Sequence, residues 1–551
     1  MSRHSLVDAP AALRRGDKRL LLTLFGAALA ALAAGVVFGA ATAFVRAGIH
    51  DFGPLSGYRS MSAHATVIFF YWLYFAQAGL LLVVAAAHTP LREGIAWRPV
   101  AWAGLGVMLA GFTASSYALW DGMPLLYDAP PELAGAPSAA TAALYLGYLA
   151  LAAGLFCVAG AAIVTAVRPL ARGEIAELPV GSFAACAWAG LLMVSAIAAA
   201  NAFLPAALWA LGLRAMPAEH STAWHILFHN LHYLPLMATV VVWYVLVEAL
   251  TGVKSVFGAR FSKLVFASYL VFVPPTSLYH MFLEPNLAQP VRVAGSLLSL
   301  FISVPTVTVF LVIVASLEVH ARAHGAKGLF GWIGLLPWRN PSMSAIGFAV
   351  VNLALGGALS FVLIQEKLAP LLSDTFFVPG YFHFLTVGTV TLTFLAVLLY
   401  VLPALTGRAL WRPHVLRWMP HLATAGLLLF GGAGVAAGYL GVPRRVLSAA
   451  YDGAAPAWWG TLMSVVGIGA TLMSAALAVY LYALARNLLP APRGHHALPE
   501  VHWGGAVTVG GRAWTGPLAV LLLLGLTVGF TSIAFELLRA LPLTAAGSAA
   551  H

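Results

Sequence analysis

The sequence predicts an all-α, polytopic membrane bundle of about thirteen helices, and three observations carry that expectation. Of 551 residues, 61% are hydrophobic and only 9% charged, with a mean hydropathy of +0.90. Thirteen apolar stretches are long enough to cross a bilayer, which takes about 20 residues each. The connectors between them are short and rich in Pro, Gly and charge. A soluble chain carries about 25% charged residues, so this composition leaves no room for a sizeable soluble domain.

The stretches run over 19–47, 58–87, 98–117, 139–167, 180–210, 222–250, 262–283, 290–320, 343–366, 376–404, 418–440, 457–488 and 514–538. Residues 1–18 read as a polar, basic cytoplasmic tail, 19–540 as a single transmembrane domain, and 541–551 as a short outer tail. The apolar run after residue 18 is long and lacks a convincing cleavage site, which predicts a first span rather than a signal peptide. The longest connector, 118–138, carries Asp121, Asp128, Pro130, Pro131 and Glu132. Cys157 and Cys186 both fall within spans and read as buried small hydrophobes.

The basic residues orient the bundle. With the N-terminus cytoplasmic, Arg3, Arg14, Arg15, Lys18 and Arg19 share a side with the even-numbered loops, placing 21 of the 29 Lys and Arg inside and 8 outside. This is the positive-inside bias. It accounts for the net charge of +11 without a nucleic-acid partner. The expectation is a multi-pass protein of the inner (cytoplasmic) membrane, in contact with lipid.

Orientation gives every residue a depth. Counted from the outer face, His64 lies about six residues into the second stretch, and His229 and His383 about seven into the sixth and tenth. His280 lies at the outer end of the seventh. At about 1.5 Å per residue, four histidines from four helices share a layer in the outer third of the membrane. One such His could hydrogen-bond a neighbouring carbonyl; four at one depth point to metal or haem ligation. With almost no thiols and few buried carboxylates, the chemistry is that of iron or copper, haem iron included.

Local spacing refines the layer. His225, His229 and His232 stand at i, i+4 and i+7 and share a helix face, with Tyr233 one turn below His229. Tyr381 and His383, two residues apart, are turned by about 200° on a helix, so one helix can address two separate cofactors. Arg444-Arg445, in the outer loop after the eleventh stretch, reads either as a surface basic pair or as a clamp for carboxylates such as haem propionates.

Six segments together resemble subunit I of the heme-copper oxidase superfamily, specifically the B-type (ba-type) oxygen reductases, over nearly the full length. They are Tyr58-Arg59-Ser60-Met61-Ser62-Ala63-His64, His229-Asn230-Leu231-His232-Tyr233, Pro274-Pro275-Thr276-Ser277-Leu278-Tyr279-His280, Ile302 to Glu318, Val378-Pro379-Gly380-Tyr381-Phe382-His383, and Val442-Pro443-Arg444-Arg445. The resemblance implies that His64 and His383 are the axial ligands of a low-spin haem, expected as haem b, with Arg444 and Arg445 on its propionates. It implies His229 and His280 as copper ligands and Tyr233 as a tyrosine cross-linked to His229.

The sequence departs from the family at the second centre. Tyr279 stands where the family has a copper-ligating His, and Tyr381 where it has the proximal ligand of the high-spin haem. Tyrosine phenolate can ligate haem iron, and His232 or His225 could replace the missing imidazole. Tyr244, Tyr233 and Thr306 match polar positions of the B-type proton channel, but Val309 and Val312 replace threonines, and valine relays no proton.

Two readings stand. One is a terminal reductase that passes electrons from a cytochrome c-like or other periplasmic donor, through a small subunit II and the low-spin haem, to a high-spin haem beside copper or iron. Its substrate is O2 or, as in related reductases, NO; the common NO reductases carry a glutamate one turn below the position of His229, and this chain does not. The other is a one-haem subunit serving as electron conduit, sensor or assembly partner.

Overall fold

The computed structural model describes residues 8–53, 57–87, 94–120, 130–218, 220–274, 288, 290, 303–363, 368–446 and 453–489; the side chains of His225 and His229 lie outside the described set. Twelve long helices appear in the described residues. They are α1 (Arg15–Arg46), α2 (Tyr58–Ala87), α3 (Arg98–Trp120), α4 (Ala139–Ala171), α5 (Val180–Ala210), α6 (His220–Thr251), α7 (Gly258–Phe272), α8 (Ser303–Ala323), α9 (Pro341–Leu363), α10 (Phe377–Thr406), α11 (Met419–Tyr439) and α12 (Ala457–Leu488). All except α7 are long and apolar enough to cross a membrane. The expected stretch 514–538 lies outside the described residues, as do 275–283 of the stretch at 262–283 and 291–302 of the stretch at 290–320.

Helices are what lipid demands of such a sequence, because each backbone N–H must find its acceptor within the segment. Caps and breakers set the ends: Ser138 accepts the Thr141 N–H at 3.2 Å to open α4, and Gly407 closes α10 in a left-handed turn. Among the described residues there is no β-strand, only an isolated bridge between Thr375 and Pro443.

Most consecutive helices pack side by side, α7 packs on α5 and α8, and α12 packs on α1. Small residues set the closest approaches: a Cβ on Gly104 of α3 would stand 2.7 Å from the Gly154 carbonyl of α4. Three helices are the most buried among the described residues, with α8 next at 78%. Of their most apolar windows, 94% is buried for α2 and 83% for α6 and α10, against 33% for α3 and 22% for α9. Two buried indoles tie the three together, Trp72 donating to Thr391 at 3.1 Å and Trp243 to Thr393 at 2.8 Å. These interior helices carry His64, the His229–Tyr233 segment, Tyr381 and His383.

Candidate functional site

His64 lies against the backbone of α1 because two glycines make room for it. A Cβ on Gly39 would stand 2.7 Å from the His64 ring, and one on Gly35 would run into Ile68 one turn along α2. Seated there, His64 Nδ1 donates to the Gly35 carbonyl at 2.8 Å. His383 is tied within its own helix, Nδ1 donating to the Pro379 carbonyl at 2.7 Å, while Phe430 of α11 packs 4.4 Å from its ring centre. A carbonyl only accepts, so both Nδ1 atoms carry the proton and both Nε2 lone pairs are left for a metal.

The two rings are parallel within 10° and their centroids are 6.3 Å apart. Bonds of about 2.0–2.1 Å from metal to imidazole nitrogen, plus the distance from nitrogen to ring centre, put two trans imidazoles on one metal with centroids roughly 6.3 Å apart. The pair therefore fits axial ligation of a single iron. Each helix widens into a π-helical turn just beyond its histidine, over Val67–Trp72 and Phe384–Thr391, a feature that recurs at functional sites.

Both rings open on a cavity of about 270 Å³ between α1, α2, α10, α11 and α12. Its walls are apolar, with Leu32, Val36, Ile68, Val387, Met473 and Leu477 among them, and its lining includes Arg46, Arg444 and Arg445. Apolar walls with a cluster of guanidiniums suit a flat hydrophobic macrocycle bearing carboxylates. Arg444 also pairs with Asp374 at 3.1 Å.

The second set of residues is placed in part. His232 joins the wall of the same cavity, its ring 4.8 Å from those of Phe69 and Phe382. Tyr381 is absent from the lining of that cavity and packs near Phe377 and Phe382. Tyr233 packs partly buried against the hydrophobic core. Tyr279 and His280, and the side chain of His229, lie outside the described set. Among the described residues, no group of three or more His, Cys, Asp or Glu is placed to hold a metal.

Pro235 leaves a mark on α6 at this point. Lacking an N–H, it cannot serve the carbonyl of Leu231 one turn back, and the buried Tyr74 hydroxyl of α2 donates to that carbonyl instead, at 3.0 Å. The segment bearing His229, His232 and Tyr233 is thereby pinned to the helix that bears His64.

Val309 and Val312 on α8 are buried and apolar. Polar groups come from α7 instead: Tyr269 shares a hydrogen bond of 2.8 Å with Thr306, and Tyr244 donates to Ser262 at 3.3 Å, which donates to Ser255 at 3.2 Å. Gly35, Gly39, Arg46 and Tyr269 were not evident as site residues from sequence alone. Only the glycines left a signal there, a Gly-x-x-x-Gly spacing in the first span.

Comparison with known proteins follows the same lines. A cytochrome c oxidase subunit 1 of Thermus thermophilus is 30% identical over 270 residues, 48% of this chain and 47% of that one. Cytochrome c oxidase polypeptide 1 of Halobacterium salinarum is 29% identical over 164 residues, 29% of this chain and 26% of that protein. The matches thus span about half or less of these relatives' length. A cryo-EM structure described as a heme-copper terminal oxidase dimer shares the fold, with a TM-score of 0.80 at 21% identity over 95% of this chain and 91% of that one. The profile of the family described as cytochrome c and quinol oxidase polypeptide I matches residues 19–472, and the chain belongs to that family, the heme-copper oxidase subunit I proteins.

Proposed function

We propose that this chain is the haem-bearing subunit I of a B-type-like respiratory terminal oxidase that reduces O2 to water. The observation that carries the reading is the parallel His64–His383 pair, Nδ1-tied on both sides and opening on an apolar cavity with Arg444 and Arg445 in its lining. Bound there, a low-spin haem supplies one-electron transfer between an outer donor and a second centre. His64 and His383 would hold its iron, and Arg444 and Arg445 would hold its propionates. The donor is a cytochrome c-like or other periplasmic protein acting with a small subunit II. The basic residues support an inner-membrane orientation with the N-terminus in the cytoplasm.

At the second centre, the resemblance implies that Tyr381 would hold a high-spin haem through its phenolate and that His229 and His280 would hold a non-haem metal, with Tyr233 as the tyrosine next to it in the family's pattern. The hydrogen bond between Tyr269 of α7 and Thr306 of α8 supports a proton relay at that point. A second reading rests on the two tyrosines, Tyr279 and Tyr381, at positions where the family has histidines: a one-haem subunit that conducts electrons without reducing gas.

Haem stoichiometry with carbon monoxide difference spectroscopy tests the choice. Two haems per chain, one of them reactive with carbon monoxide when reduced, support the oxidase. One haem unreactive with carbon monoxide sinks it in favour of the conduit.

A further inference from the structure

Arg46 ends α1, the helix whose Gly35 and Gly39 seat His64. Its guanidinium reaches the loop after α11 and donates to two carbonyls there, Pro443 at 2.8 Å through Nη2 and Val446 at 2.9 Å through Nη1. These two acceptors bracket Arg444 and Arg445. The same guanidinium lies 4.8 Å from the ring centre of Phe376, the residue before α10, which carries His383.

The loop is held from its other side as well. Phe376 N–H donates to the Val442 carbonyl at 2.8 Å, and Arg444 N–H to the Asp374 carbonyl at 3.0 Å. Arg445 occupies the left-handed region at φ 60°, a conformation that a non-glycine residue keeps only when its surroundings impose it. The two carbonyls held by Arg46 are part of what imposes it.

We infer that Arg46 is a positioning residue for the Arg444–Arg445 clamp, keying the loop that holds the carboxylates to the helix that seats His64, and that its charge adds to theirs at the edge of the cavity. The inference rests on the haem reading of the site. Three guanidiniums around the cavity favour the reduced, less positive state of a haem and so raise its midpoint potential. Removing Arg46 takes away one charge and loosens two more. A lysine keeps the charge but cannot serve both carbonyls with a planar fork.

The test is a potentiometric titration of the low-spin haem in the purified wild-type chain and in Arg46→Met and Arg46→Lys, with haem content measured in each. The expected result is haem retained and the equilibrium shifted toward oxidised haem at least tenfold in the methionine variant, about 59 mV for one electron. The lysine variant shifts in the same direction by a smaller amount. Wild-type potentials in both variants overturn the inference, and a shift in methionine with none in lysine reduces Arg46 to a charge and overturns its positioning role. If the methionine variant fails to fold, the lysine comparison alone decides. A wild-type chain that takes up no bis-histidine haem overturns the reading of the site itself, which the wild-type spectrum shows before any variant is compared.

Discussion

The imidazoles of His64 on α2 and His383 on α10 face one cavity as a parallel pair, 6.3 Å between centroids, with each Nδ1 donated to a backbone carbonyl. The arrangement fixes the tautomer of both rings without using a side chain as the second partner. Carbonyl acceptors also leave the ligands neutral, so the cavity's charge comes from its guanidiniums.

Gly39→Val is expected to dislodge His64. A Cβ at that position meets the ring at 2.7 Å, and overpacking of this kind costs about 1–3 kcal/mol. Reduced haem content and a changed low-spin electron paramagnetic resonance signal are expected, while Gly26→Ala, in the same helix with nothing within 4 Å, leaves both as in the wild type. Equal effects of the two substitutions would contradict the cradle.

Tyr74→Phe removes the donor that replaces the missing Pro235 N–H. A loss of about 1 kcal/mol is expected, the scale of a hydrogen bond between membrane helices, read as a lower unfolding midpoint. Pro235→Ala restores an N–H to the Leu231 carbonyl, so adding it to Tyr74→Phe should recover part of the loss. Additive destabilisation in that double-mutant cycle would count against the compensation.

Tyr269→Phe and Thr306→Val each remove a hydroxyl from the hydrogen-bonded pair between α7 and α8. Slower proton uptake during turnover is expected, at least tenfold for the loss of a relay group, with the low-spin haem spectrum unchanged; Thr306→Ser should stay near the wild-type rate. Unchanged uptake in both variants would place the proton path elsewhere.

Much of this was legible in the sequence, and the rest was hidden for physical reasons. Hydropathy and the basic residues yield the helices because lipid tolerates little else, and the depth of His64 and His383 follows from counting along a rigid 1.5 Å rise. The 200° offset of Tyr381 from His383 needs only helix geometry. Contacts between helices are another matter: nothing in the spacing of Gly35 and Gly39 says which helix they meet. Arg46 looks like any cation at a helix end until the loop at 443–446 is folded onto it. The spacing on α6 offers His232 or His225 as a substitute ligand without saying what else they meet; the His232 ring lies on the wall of the His64–His383 cavity, near Phe69 and Phe382.

Replacing Tyr381 by Phe separates the two centres. If its phenolate ligates a second haem, the high-spin ferric signal changes and the low-spin spectrum stays, since Tyr381 does not line the His64–His383 cavity. An indifferent spectrum would assign the chain to the one-haem reading.

The most direct test of the account is the haem content of the purified chain, followed by near-infrared magnetic circular dichroism, in the wild type, His64→Ala and His383→Ala. The account predicts a bis-imidazole low-spin haem in the wild type that is absent from both variants. A wild type without that signature, or variants that keep it, would contradict the account at its centre.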